Sequence, residues 1–367
     1  MRSISRRSRL ARRVSNRLES TSGCGSAPLN VRSPMQPAKS STKAMTGLAP
    51  AAEDAQERAA SRRNAARRRR NRRLEAAAPI LLRVVARGLA LLPLPVAHAL
   101  AVVVANTQWL LGTRAARTTQ ENIERCFPSL SQRDRRRLAR QSLAETAKTF
   151  AETGLVWHGS PSRTARLVQS VQGMEHVESA PGAVLVLMPH FGNWELLGHV
   201  FGCGPGLTCL YAPPKIRSLE SLVCRARTRW GVRVAPTTPR GLKHFYSVAR
   251  DNGIVGLLPD QTPPPSAAVD APFFGQDVLT MVLAHRLIMR VQPRVVMAWV
   301  ERTGRGFAAH IEPLHGDVYS ADAATSAAAM NVAIEQVVRR SPAQYQWEYK
   351  RFRRRRNRSA RSSAHGE

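Results

Sequence analysis

Six short apolar runs follow one another after position 180, and each stops abruptly at proline, glycine or polar residues. They are Ala183–Met188, Thr208–Ala212, Val232–Ala235, Ile254–Leu258, Arg294–Val300 and Phe307–Ile311. Stretches with helical patterning separate most of them: Trp194–Gly202, Ile216–Trp230, Arg240–Asp251, Val278–Val291 and Ala321–Arg340. Strands that are apolar throughout are buried on both faces, and strand–helix alternation supplies the covering helices. The expected fold class is therefore α/β, a mostly parallel sheet covered by helices. No internal repeat is visible.

Upstream, residues 117–153 read as helical with a break at "FPSLSQRD". Ser131 is the expected N-cap of the second helix, three residues before Asp134, with Phe127 and Leu130 packing at the joint. Before this lies "PILLRVVARGLALLPLPVAHALAVVVANTQWLLG", Pro79 to Gly112, nearly uncharged from Gly88 onward. Its length suffices to span a bilayer. Pro93 and Pro95 would break a straight helix, and His98 sits in the middle. The reading favoured is a hydrophobic, membrane-associated helical segment, spanning or lying in the interface. A buried hairpin of a soluble domain is the alternative.

The formal net charge of +31 sits mostly at the ends. Residues 1–74 hold 19 Lys/Arg against 4 Asp/Glu, residues 350–367 hold 8 against 1, and the body between holds 29 against 20. The basic run "AARRRRNRRLE" directly precedes the hydrophobic segment. Such ends suit an anionic lipid surface or nucleic acid. No nucleic-acid partner is expected, because the charge lies in the tails, aromatics are only 5% and no recognition module is present. Residues 1–74 read as a basic disordered tail, and an internal start at Met35 or Met45 is an alternative account of that stretch. The arginine-rich beginning has no apolar core of a secretory signal. Five cysteines (Cys24, Cys126, Cys203, Cys209, Cys224) form neither a CxxC pair nor a zinc spacing, so unpaired thiols in a reducing compartment are expected.

The chemistry concentrates in "VLMPHFGNWELLG", Val186 to Gly198. Sites in open α/β sheets gather at the carboxyl ends of strands, where His190 falls. Glu195, five residues on, would point elsewhere on a straight helix. Gly192 permits a turn and Asn193 is a natural N-cap, which would fold Glu195 back towards the imidazole. A carboxylate so placed orients a histidine general base. No Ser or Cys nucleophile adjoins His190, so the base would activate a hydroxyl of the substrate. "GLLPDQTPPP", Gly256 to Pro265, repeats the pattern with Asp260 and Gln261 at a strand end. An α/β hydrolase would need a G-x-S-x-G elbow, which is absent.

"HFGNWELLG", "LLPDQ", "PFFG" followed by "LT", and "QYQWEYKRF", in that order and with "NIERCFPSLS" upstream, resemble the lauroyl/myristoyl acyltransferases of lipid A biosynthesis. That family belongs to the wider His-x4-Asp/Glu glycerolipid acyltransferase group. The resemblance runs from about Ile80 to Arg356. It implies an acyltransferase domain over residues 116–350, after a membrane-associated segment at 75–115 and before a basic tail at 351–367. It implies transfer of an acyl chain from an acyl carrier protein thioester to a hydroxyl of an anionic lipid A precursor. The place implied is the cell inner membrane, with the catalytic domain on the cytoplasmic face and no cofactor or metal. His190 matches the family's catalytic histidine and Glu195 its acidic partner. "LYAPPKIRSLESLVCRARTRWGVRVAP", Leu210 to Pro236, supplies Lys215, Arg225, Arg227 and Arg229, which with Asn193, Asp260 and Gln261 form the expected substrate-binding set. Arg227 is the best match to the family's recurring arginine. Ala212 stands where an arginine is usual, and Tyr349 where many members have histidine. The oxyanion donor is left open between a backbone N–H of the Gly192–Asn193 turn and a basic side chain. A mannosylated phosphoinositide is the alternative acceptor. A non-enzymatic nucleic-acid binder is the alternative from another class.

Overall fold

The computed structural model describes residues 77–214 and 216–352. The two basic tails and Lys215 therefore lie outside the described residues, apart from Arg351 and Phe352. A helix over 77–91, α1, leads into α2, Leu94–Leu110. The break between them falls at Pro93, as the prolines require. Next come α3, Arg114–Cys126, and α4, Gln132–His158. The joint forms as expected at Ser131, whose hydroxyl accepts from the Asp134 amide at 3.1 Å. Phe127 packs on Phe274 and Trp347, while Leu130, expected beside it, is exposed.

Short helices α5, Pro161–Leu167, and α6, Glu175–Glu178, flank β1, Val168–Gln172. The repeating strand–helix part follows. It comprises β2 Val184–Leu187, α7 Leu197–Gly202, β3 Thr208–Tyr211, α8 Glu220–Thr228, β4 Arg233–Pro236, α9 Pro239–Arg250 and β5 Ile254–Leu257. A hairpin of β6, Ala268–Phe273, and β7, Gln276–Met281, intervenes. The chain then continues through α10 Leu283–Val291, β8 Arg294–Arg302, β9 Phe307–Pro313 and α11 Ala323–Arg340. Seven strands form one sheet in the order β1-β9-β8-β2-β5-β3-β4, parallel except for the β8–β9 pair.

All six expected strands are present within a few residues. The expected helix Val278–Val291 is corrected at its start, because Val278–Met281 pairs with Ala268–Ala271 as a strand. β1 has no buried residue and no apolar run to announce it.

Strand alternation divides the core. Leu185, Leu187, Val255, Leu257, Val295 and Met297 pack on one face of the sheet. Val184, Val186, Val296, Ala298 and Val300 pack on the other.

The helix α2 buries an alanine stripe, Ala97, Ala101 and Ala105, at four-residue spacing towards α4. Its large side chains Leu100, Val103, Val104 and Leu110 face outward. Among the described residues no single helix is long and apolar enough to cross a membrane, although α2 and α3 together pass that test as a pair bent by 82°.

Candidate active site

The strands β2 and β5 are parallel neighbours, and Leu187 sits opposite Leu257. Both chains then run Met or Leu, proline, and a polar residue. His190 and Asp260 therefore leave the sheet side by side, each three residues beyond the last paired position. His190 Nδ1 lies 2.7 Å from one Asp260 oxygen, and the His190 backbone N–H donates to the other at 2.8 Å. The carboxylate is almost wholly buried, 2% exposed, against 14% for the imidazole. Burial pushes the Asp260 carboxyl up, but the neighbouring imidazole and its hydrogen bonds outweigh this and hold it below its ordinary value. A carboxylate can only accept, so Nδ1 carries the proton and Nε2 the lone pair. Gln261 Nε2 lies 3.1 Å from that Nε2. The Trp194 ring meets the imidazole edge-on at 4.9 Å.

The expected pairing of Glu195 with the imidazole is corrected here. Gly192 turns as anticipated, with φ +54°, and any Cβ there would stand 1.9 Å from the Val300 carbonyl oxygen. The chain then enters a short 3₁₀ turn, Trp194–Leu196, rather than an α-helix. From it the Glu195 carboxylate turns to Arg227. Arg227 Nε lies 3.2 Å from both Glu195 oxygens and its terminal nitrogen 2.5 Å from one. Trp157 Nε1 donates to the other at 3.3 Å. Burial would raise the Glu195 carboxyl, but Arg227 beside it keeps it below the ordinary range.

Asn193 does not cap the turn with its side chain. Its Nδ2 donates to Glu152 Oε2 at 2.9 Å. Glu152, wholly buried on α4, also accepts from Arg302 Nε at 2.5 Å and from the second Arg302 terminal nitrogen at 2.7 Å, and lies 2.6 Å from His98 Nε2 on α2. Arg302, at the end of β8, further contacts Glu145 and donates to the Thr149 hydroxyl at 2.8 Å. Thr149 in turn donates to the Gly192 carbonyl at 2.9 Å. The Gly192–Asn193 turn is thus pinned through a buried ion network. No motif in the sequence singles out Glu152, Arg302 or Thr149, and Trp157 reads there as a packing or interface residue. His98 stood out only as a polar residue in an apolar run.

The backbone donors of the turn are already engaged. Gly192 N–H donates to Gln344 and Asn193 N–H to Val300, at 2.9 and 3.2 Å. This removes them as oxyanion donors. Of the expected cations among the described residues, Arg227 alone reaches the motif. Arg229 donates to the Val156 and Gly159 carbonyls and lies over the Trp230 ring, a structural clamp on the end of α4. Arg225 is exposed and bonded to Ser221. Tyr349 ties down the loop after Gln261 by accepting from the Thr262 amide at 3.1 Å.

An apolar pocket opens beside Glu195 and Arg227, between β2, β3, α7 and α8. Val156, Met188, Leu197, Leu210, Trp230 and Val232 form its walls, and Gly198 leaves one side open. The site joins a histidine with a fixed tautomer, an amide at its free nitrogen, and an apolar pocket beside them.

A family profile described as bacterial lipid A biosynthesis acyltransferase matches residues 66–354. Over 269 residues the chain is 26% identical to a lipid A biosynthesis lauroyltransferase of Escherichia coli (strain K12), covering 71% of this chain and 87% of the relative. It is 25% identical over 239 residues to a lipid A biosynthesis palmitoleoyltransferase of the same organism, covering 64% and 77%. A lipid A biosynthesis acyltransferase of Haemophilus influenzae (strain ATCC 51907 / DSM 11121 / KW20 / Rd) is 24% identical over 249 residues, covering 66% and 79%.

Proposed function

The chain belongs to the bacterial lipid A biosynthesis acyltransferase family, and from that premise we propose that it moves a fatty acyl chain from an acyl carrier protein thioester to a hydroxyl of a lipid A precursor. The observation that carries the mechanism is the His190–Asp260 pair at the carboxyl ends of two adjacent strands. His190 Nε2 takes the proton of the acceptor hydroxyl as its oxygen attacks the thioester carbonyl. Asp260 holds the ring in the required tautomer and stabilises the imidazolium that forms. Collapse of the tetrahedral adduct breaks the carbon–sulfur bond, and His190 returns the proton to the departing thiolate. General-base assistance of this kind accelerates a reaction by roughly 10²–10⁴-fold.

The oxyanion donor in this reading is the Gln261 amide, which already stands at the reacting nitrogen. The acyl chain occupies the pocket beside Glu195. The Glu195–Arg227 pair fixes the pocket wall. The acceptor is an anionic glycolipid, drawn from the cytoplasmic leaflet of the inner membrane. The exposed apolar side of α2 and the arginines preceding α1 support attachment there.

The test is His190→Ala assayed on a lipid A precursor with acyl carrier protein as donor. Activity should vanish while the thermal transition is kept. Near-native turnover would overturn the assignment. Mass spectrometry of lipid A from cells with and without the protein reports chain length and acceptor together.

A further inference from the structure

A groove of about 980 Å³ runs between the C-terminal half of α2 and the start of α4. Arg133, Arg136, Arg137 and Arg140 line it, against one acid, Asp134, whose carboxylate already accepts from the Ser131 hydroxyl at 2.6 Å. Arg140 is steered into place by Asn106, at 2.9 Å from its Nε. Arg133, Arg136 and Arg137 make no ion pair or side-chain hydrogen bond among the described residues. Arg133 with Arg137, and Arg136 with Arg140, are like charges at i, i+4, an arrangement that costs a helix stability unless an anion relieves it.

The groove is separate from the catalytic centre. Thr149 touches the catalytic turn, and Arg136 lies thirteen residues earlier on the same helix. At 1.5 Å per residue they stand about 20 Å apart. The other wall, on α2, is made by Val102 and Trp109 with Asn106 between them. Just beyond it Val103, Leu110 and Leu111 are 62%, 83% and 74% exposed. Paired guanidiniums beside an outward-facing hydrocarbon surface, with a tryptophan at the boundary, match a phosphate joined to acyl chains.

We propose that this groove binds the phosphate headgroup of an anionic membrane phospholipid, whose acyl chains lie along the outer face of α2. The bound lipid is not a substrate, and the site does not depend on the acyl-transfer reading. It sets the depth and rotation of α2 in the leaflet. An acidic carrier protein would satisfy the arginines but leave the apolar rim in water, which is why the lipid is favoured.

The full chain is titrated with monomeric dihexanoyl phosphatidylglycerol, dihexanoyl phosphatidylcholine and inorganic phosphate, reading tryptophan emission. A saturable change is expected with phosphatidylglycerol alone, and it should be lost in Trp109→Phe, which assigns the signal to the groove. In Arg136→Gln/Arg137→Gln the affinity should fall about tenfold per guanidinium removed, the size of one charge-assisted hydrogen bond. The double variant should keep its thermal transition and its transfer rate on detergent-solubilised acceptor. No saturable change, equal affinity for phosphatidylcholine or for free phosphate, or unaltered affinity in the double variant would each overturn the proposal. So would a double variant that binds phosphatidylglycerol normally but loses affinity for an acyl carrier protein.

Discussion

Replacing Arg302 by methionine tests whether the buried network holds the Gly192–Asn193 turn. The Arg302 side chain is 5% exposed, and Glu152 beneath it is fully buried. Burial opposes ionisation of Glu152, yet Arg302 and His98 hold its carboxyl below the ordinary value. Methionine fills much of the arginine's volume but leaves that carboxylate without its main partner. Breaking one side of a buried ion pair costs about 3–5 kcal/mol, a large share of the roughly 5–15 kcal/mol that holds a domain together. Glu145 contributes less, because it is 19% exposed and water can replace the guanidinium. The same change removes the guanidinium that positions Thr149 and Glu152, the two residues that hold the Gly192 carbonyl and the Asn193 side chain of the turn. A displacement of about 1 Å at the base lowers turnover by roughly 10². Urea denaturation followed by tryptophan fluorescence, in non-ionic detergent, gives the first quantity, and steady-state kinetics the second. Arg302→Met/Glu152→Gln should recover part of the loss, since it removes the stranded charge, with a coupling of about 0.5–3 kcal/mol. The reasoning fails if Arg302→Met lies within about 1 kcal/mol of the native chain, or if the two single losses simply add.

Other outcomes follow from the same geometry. Asp260→Asn removes the acceptor that fixes the His190 tautomer and should lower kcat by about 10²–10⁴ with little change in KM. Glu195→Gln, which leaves the Nδ1 partner in place, should cost less; the reverse ranking in steady-state assays would return Glu195 to the imidazole. Gly198→Met fills the open side of the apolar pocket, so the transferred chain should shorten, as read by mass spectrometry of the product. Unchanged chain length would put the hydrocarbon elsewhere. Acid should destabilise the fold through Glu152, Glu195 and Asp260. Their folded values lie below the ordinary 4.5, 4.5 and 3.8. Their stabilisation is therefore complete above those values and is lost as pH falls through the lower folded ones. Denaturant midpoints measured across that range should fall in the native chain and fall less in Glu152→Gln.

The centre of the sheet was legible because β2, β5 and β8 are buried on both faces and so are written as nearly unbroken apolar runs. β1 was not, since an edge strand with no buried residue carries no such run. The hairpin β6–β7 was missed for a related reason, its first strand lying in what reads as a proline-rich loop. Its second strand alternates buried and half-exposed residues, then passes straight into α10, and the combined pattern reads as one helix. The ion network was hidden because its members come from α2, α4 and β8. Each one alone has the look of an ordinary surface charge.

The choice of carboxylate for His190 is a different kind of problem. A spacing of five in one motif invites pairing within that motif, and a glycine turn makes it feasible. What decides the pairing in the fold is register between strands. "LMPH" and "LLPD" are the same four-step exit from a sheet: two apolar residues, proline, then a polar group. With Leu187 opposite Leu257, equal steps bring His190 and Asp260 out together. Proline ends the ladder on both chains at the same level, because neither can donate the next strand hydrogen bond. Glu195 is then free to meet Arg227, thirty-two residues on, and to form the wall of the pocket instead. In the proposed mechanism the local motif thus supplies the base, and the partner comes from a second, similarly built strand end beside it.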